Sequence, residues 1–264
     1  MPSFEPVTAV VRALTVLRIV NELDFASIKQ IHKESKLHRS TVLRMLETLM
    51  HEGYVVRDEQ SGMYKPTGKT LLLSSGFDEK RQLSQLAAPT MLALRERIGW
   101  PSDFAILDGN EMMIVETSRE YNIMAINHQA GVRPPLLLTS LGRAYLAFCT
   151  ESKREKILKS LAESKRSTTA PAREDPDGVE KMLAEIRKQG YAVPDPDFNK
   201  SASSGAGLVT GFSVPVFKKD EVYASLSTSF LMSAMSLQQG VKMLFPALRE
   251  TADTLGKIIS ESYN

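Results

Sequence analysis

The stretch Ser27–Gly53, SIKQIHKESKLHRSTVLRMLETLMHEG, constrains this chain most. It reads as two helices joined by a tight turn, and the second helix has a divided surface. Stepping 100° per residue from Val42 puts Val42, Leu43, Met45, Leu46, Leu49 and Met50 on one arc. Ser40, Thr41, Arg44, Glu47, Thr48 and His51 fall on the other. The apolar arc can seat the helix on a small core. The polar arc is short-chained and donor-rich, with Arg39 and Arg44 near the helix start. A helix lying in a major groove aims its first turns at base edges in this way. A solvated face of an ordinary helix pair has the same pattern, so the flanks must decide.

Before it, Thr8–Leu23 is expected as a helix with Val10, Leu14, Leu17 and Val20 in an apolar stripe. Asp24–Ala26 breaks it, and Ser27 with Gln30 three residues on forms a capping box for the next helix. Gly53 closes the second helix of the pair. Tyr54–Asp58 and Met63–Lys65 then read as short strands around a turn at Glu59–Gly62, with Pro66 stopping the second. Three helices followed by a two-stranded hairpin make a winged helix-turn-helix. Arg57 and Lys65 sit where such a wing meets backbone phosphate.

Overall charge does not argue for nucleic acid, being only +2 over 264 residues. Locally, Lys29, Lys33, Lys36, Arg39 and Arg44 stand against the single acid Glu34, a basic patch on the recognition unit. The length favours two domains, and 42% hydrophobic and 24% charged residues describe a globular protein. The single cysteine, Cys149, excludes an internal disulfide and suits a reducing cytosol. No apolar run reaches the length of a membrane span and no signal peptide is evident, so the chain is expected to be cytoplasmic.

Gly68–Phe77 reads as a short connection. Asp78–Arg97 is expected as a helix with Leu83, Leu86, Ala87, Met91 and Leu94 on its apolar side and Pro89 kinking it or marking a first turn. That stripe suits either a dimer contact or packing on its own domain. The expected domains are a DNA-binding domain over 1–68, a linker helix over 69–97 and an effector domain over 98–264. From Ile98 the pattern alternates strands and helices. Phe104–Leu107 and Met112–Glu116 form a hairpin, and Tyr121–His128 a third strand. Ser140–Phe148, Glu151–Ser160 and Pro176–Gln189 are helices. Leu208–Phe217 and Val222–Phe230 form a second hairpin, and Ser236–Ser262 a long terminal helix with another capping box. The fold class is α/β (α+β), a mixed sheet flanked by helices in a layout suited to small-molecule sensing.

Two features point to a ligand. Ser140–Leu141–Gly142 opens a helix whose free amides and positive dipole end suit a carboxylate. Ser225, Ser227 and Ser229 alternate along one strand and share a face, which a plain solvent-facing strand would also show.

The stretches VVRALTVLRIV, LHRSTVLRMLETLMHEGYV, PLLLTSLGRAYLAF, GYAVPD and SVPVFKKDEVYASLSTS, in this order, resemble the isocitrate lyase regulator (IclR) family of bacterial transcription factors over essentially the whole chain. The resemblance implies a winged helix-turn-helix, a linker helix, a GAF-like effector domain, and homodimers that often pair into tetramers. Within the family, WPSDFAILD, LAFC and MSAMSLQQ resemble regulators of hydroxyphenylpropionate and related aromatic-acid catabolism. Metabolite contacts in the family match Ile123, Ile126, Ser140, Leu141, Gly211, Ser227 and Ser229. Gly211 stands where the founding member has a cysteine, which would enlarge the pocket enough for a ring. An acidic contact there aligns with Pro194, so Asp195 takes part only if the register slips by one. Ile123 and Ile126 are three apart, so either a bulge intervenes or one of them leaves the pocket. His128 shares the face of Ile126 and suits a phenol or carboxylate; a purely structural histidine fits as well.

A cytosolic enzyme acting on a small organic acid is the rival reading. No GxSxG, P-loop, HExxH or paired-cysteine spacing occurs, and the four histidines are scattered. No cofactor or metal is expected. The expected partners are double-stranded operator DNA, a small carboxylate effector and further copies of the chain, with no membrane.

Overall fold

The computed structural model describes residues 5–23, 25–74, 78–119, 129–198 and 209–262. They divide into two compact units, Met1–Asp78 and Glu79–Asn264.

In the first unit α1 (Thr8–Leu23), α2 (Ile28–Ser35) and α3 (Arg39–His51) precede β1 (Val55–Arg57) and β2 (Tyr64–Pro66), which pair antiparallel. Helix α2 begins with the expected reciprocal cap: the Gln30 amide donates to Ser27 Oγ and the Ser27 amide to the Gln30 side chain. It ends at Lys36, whose φ of 56° turns the chain sharply toward α3. A lysine in that left-handed region costs roughly 1 kcal/mol, so the tight turn is built against a local preference. Val42, Leu46 and Leu49 of α3 share one core with Val16, Ile19 and Val20 of α1, Ile31 of α2, and Val55 and Tyr64 of the hairpin. Burial of each such aliphatic side chain contributes roughly 1.5–3 kcal/mol.

Two local expectations are corrected here. Leu17 and Val20 are buried, but Val10 and Leu14 are 54% and 59% exposed. The core of so small a unit is filled by the second half of α1, and the earlier turns have nothing within the unit to pack on. Pro66 does not stop β2 but forms its last position, opposite Val55, where a missing amide costs little.

The second unit begins with α4 (Asp78–Ile98), which runs through Pro89 without a break. Leu83, Ala87, Met91 and Leu94 of α4 enter this unit's own core, so the apolar stripe is spent within the domain. Then come β3 (Ser102–Asp108), β4 (Glu111–Thr117), α5 (Ser140–Phe148), α6 (Glu151–Glu163), α7 (Ala170–Glu174), α8 (Pro176–Gln189), β5 (Val209–Lys218), β6 (Glu221–Leu231) and α9 (Leu237–Ser262). The strands form one sheet in the order β4-β3-β6-β5. All three pairings are antiparallel, and the parallel component of a mixed sheet is absent among the described residues. The strand expected at Tyr121–His128 lies outside them.

The sheet is a middle layer. On one face Phe104, Ile106, Phe212, Leu226 and Phe230 meet α4 and α9. On the other Ala105, Met112 and Ile114 meet α5, α6 and α8. Helix α5 can lie close on the chain that leads into it because residue 142 is glycine: a Cβ there would fall 2.3 Å from the Cα and carbonyl oxygen of Leu136.

Candidate nucleic-acid interface and effector site

On α3 the division of faces is physical. Val42 and Leu46 are fully buried, whereas Arg39, Ser40 and Arg44 are exposed and Thr41 is half-buried. The side chains of Arg39 and Arg44 make no hydrogen bond or ion pair among the described residues, so both guanidinium groups are open to an external anion. Ser40 is not idle. Its hydroxyl lies 2.8 Å from Nδ1 of His38, which caps α3 by accepting the Ser40 amide. Sequence reasoning passed over His38, because histidine is an uncommon cap.

The wing residues are anchored at their bases. Arg57 Nε donates to the Gly62 carbonyl at 3.3 Å, and its guanidinium sits over Tyr64. The Lys65 ammonium lies 5.4 Å from the centre of the Phe25 ring. Arg57 stays exposed and Lys65 half-buried, on a hairpin that Ala26 reinforces by exchanging two hydrogen bonds with Tyr64.

In the second unit the sheet face under α5 changes character along its length. Where Ala105, Met112 and Ile114 lie, it is apolar. At the end where β3 and β5 begin, one line crosses all four strands as Thr117, Asp103, Ser227 and Ser213. Ser213 Oγ donates to Ser140 Oγ on the first turn of α5 at 2.7 Å, so the line continues onto the helix end. Ser225 and Ser227 are 0% and 5% exposed, which removes the solvent-facing reading of the serine row. The Ser225 hydroxyl is buried with no hydrogen-bond partner among the described residues.

Asp103, 1% exposed, was missed in the sequence, as was its partner Arg119. Arg119 Nη2 and Nε donate to the two Asp103 oxygens at 2.9 and 3.2 Å, and Nη2 also donates to Ser229 Oγ at 3.1 Å. Thr117 Oγ1 donates to Asp103 Oδ1 at 2.7 Å. A register shift beside Phe104 makes this possible: Ala105 faces Ile114, yet Phe104 faces Glu116. Beyond that bulge Thr117 comes into line with Asp103, while Glu116 reaches Ser84 of α4.

Of the expected effector residues, Ser140, Leu141, Gly211, Ser227 and Ser229 gather at this end of the sheet. Leu141 is buried, and Thr139 caps α5 by accepting the Gly142 amide. Gly211 has a reason other than pocket size: a Cβ there would meet the Thr228 carbonyl oxygen at 2.1 Å, so the neighbouring backbone itself excludes a side chain. Asp195 is already occupied. Its carboxylate accepts from Arg143 Nη2 at 2.9 Å and from the amides of Asp197 and Phe198, while its own amide donates to Leu138. Burial pushes its pKa up, but those amides and Arg143 outweigh it and hold the carboxyl below its usual range. Asp195 is thus a staple between α5 and the chain entering β5, with both oxygens already engaged. Ile123, Ile126 and His128 lie outside the described residues.

Two open clefts lie elsewhere, about 500 Å³ beside Arg133 and Arg166 and about 590 Å³ beside Lys153 and Tyr223. Neither is lined by an expected effector residue. At the first, Arg133 and Arg166 are already paired with Asp108 and Glu111. Cys149 is buried, burial pushes its thiol pKa up, and Sγ donates to the Leu146 carbonyl, all of which favour the thiol over the thiolate.

The IclR helix-turn-helix domain profile matches residues 9–59, and that of the bacterial transcriptional regulator IclR C-terminal domain matches residues 78–257. The HTH-type transcriptional regulator XynR of Escherichia coli K12 is 30% identical over 232 residues, covering 86% of this chain and 87% of that protein. The Pca regulon regulatory protein of Pseudomonas putida is 24% identical, covering 91% and 80%. Among solved structures, an IclR homolog from Microbacterium hydrocarbonoxydans complexed with 4-hydroxybenzoate superposes with a TM-score of 0.63. It is 21% identical and covers 95% of this chain and 98% of that one. No helix among the described residues is long and apolar enough to cross a membrane.

Proposed function

The chain belongs to the IclR family of bacterial transcriptional regulators, and from that premise we propose that it is a cytoplasmic, ligand-responsive regulator of a catabolic operon whose effector is a small aromatic carboxylate. The observation that carries the DNA-binding part is α3, core on one side and two unpartnered arginines on the other. Ser40, Thr41 and Arg44 then lie near base edges, Arg39 on phosphate or bases, and Arg57 and Lys65 on the backbone beside the groove. The aromatic assignment is supported by a Pca regulon regulator among the relatives and by a homolog of the same fold complexed with 4-hydroxybenzoate.

The working unit is a homodimer or a dimer of dimers. Val7, Val10, Val11 and Leu14 form an apolar face on and beside α1 that its own unit leaves more than half exposed, which a second copy would cover. Effector bound between the first turn of α5 and the serines of β5 and β6 favours one arrangement of the dimer over another.

The test is a gel shift on the DNA upstream of the adjacent genes, with 4-hydroxybenzoate and a hydroxyphenylpropionate titrated in. A discrete complex whose midpoint moves with the aromatic acid is expected. Ser227→Ala should displace that dose response severalfold. A complex that ignores every aromatic acid but answers to an aliphatic one overturns the aromatic assignment. Turnover of the acid by protein without DNA would restore the enzyme reading.

A further inference from the structure

We propose that His38 is a further DNA contact of the recognition unit: its ring, held by Ser40, presents a neutral Nε2–H donor to a backbone phosphate of the operator. This rests on the reading of the first unit as the DNA-binding head. It adds a residue that neither the sequence motifs nor the family resemblance assign.

Three observations carry it. First, the place of the proton. Nδ1 of His38 accepts the Ser40 amide at 3.5 Å and lies 2.8 Å from Ser40 Oγ. An amide N–H can only donate, so Nδ1 bears no hydrogen and the Ser40 hydroxyl donates to it. A neutral imidazole has one N–H, which is then on Nε2. His32 shows the opposite case within the same turn. Its Nδ1 lies 2.6 Å from the Leu37 carbonyl, which can only accept, so there Nδ1 carries the hydrogen.

Second, the open edge. Nε2 of His38 has no hydrogen-bond partner among the described residues, and the residue is exposed. Lys36 and Arg39 beside it are exposed as well, so the donor stands in a basic margin that draws phosphate. Contacts to the DNA backbone come from neutral side chains as well as from cations, and they fix the register of a helix in its groove.

Third, rigidity. The His38 carbonyl accepts the Thr41 and Val42 amides, which seats the residue at the head of α3. Just before it, Leu37 is tied down twice, through its carbonyl by the His32 ring and through its amide by Ser35 Oγ. With its inner edge on Ser40, the His38 ring is oriented before DNA arrives, and little side-chain freedom is lost on binding.

The experiment uses the full-length protein and fluorescence anisotropy on the upstream duplex that wild type retards, together with point-substituted versions of it. His38→Ser separates the two roles of the side chain. Serine is a strong helix cap, so α3 keeps its start. Its hydroxyl ends close to the backbone, short of the imidazole's outer edge. The Ser variant should melt with wild type, while its DNA affinity falls on the order of tenfold for two contacts per dimer. The loss should be equal on every point-substituted duplex, as a phosphate contact requires. The salt slope should not change, because a neutral donor releases no counterion. Affinities are read well below the lowest melting midpoint, and His38→Thr, a second capping residue, repeats the comparison. Wild-type affinity in these variants would reduce His38 to a cap and overturn the proposal, with the DNA-binding reading left standing. A loss confined to one base pair would assign a base contact instead, and a flatter slope a charged ring; either overturns the proposal as stated. If wild type retards no duplex, the DNA-binding reading falls and this inference with it.

Discussion

Arg44 shows how much one side chain can decide. It is exposed, unpaired among the described residues, and one turn from the start of a helix whose other face is core. If it reads a base, Arg44→Ala should cost about 1–3 kcal/mol of operator binding and relax preference at one base pair. Fluorescence anisotropy on operator and on point-substituted operators measures both. Affinity unchanged on every duplex would remove Arg44 from the recognition set. Asp195 shows the opposite outcome. A carboxylate beside a pocket helix invites a ligand-binding role, yet both its oxygens already accept, one from Arg143 and the other from two amides. Nothing in the string VPDPDF distinguishes these cases, because the partner lies some fifty residues away.

Among the elements, α4 has the most consequence. It was expected as a linker helix whose apolar stripe suits either a dimer contact or its own domain, and that stripe is sunk in the second unit's core. Its polar side meets the end of β4, where Ser84 donates to Glu116 and Arg95 to the Ser118 carbonyl. The next side chains along that strand end, Thr117 and Arg119, hold Asp103. One short segment thus touches both the candidate effector site and the helix that begins where the first unit ends. Ser84→Ala should therefore lower the shift in operator affinity caused by effector, while calorimetry still finds the effector bound. A full response in that variant would mean the coupling runs elsewhere.

For the whole molecule, near-neutral charge hides a local asymmetry. A dimer presenting Arg39, Arg57 and Lys65 twice would neutralise roughly six phosphates, giving a slope of about −5 in log affinity against log salt. Arg39→Gln should flatten that slope by about 2, one phosphate per protomer. Titrations at several salt concentrations test this, and a slope near zero would deny backbone contact by these residues. Half-sites about 34 Å apart, one turn of DNA, would suit two such heads.

The sequence by itself determined whatever depends on near neighbours in the chain. The two-faced α3, the Ser27–Gln30 cap, the hairpin turns and the span of α5 follow from helical and strand periodicity and from caps a few residues long. Only the tertiary structure decided which of those faces find partners. Val10 and Leu14 continue the same stripe as Leu17 and Val20, but the head's core is too small to reach them. Asp103 and Arg119 carry no local signature, because the force that joins them acts across strands: a bulge beside Phe104 brings Thr117 and Asp103 into line, and burial makes their charges depend on each other. Periodicity encodes which side of an element faces inward; contact between distant charges exists only once the sheet has closed.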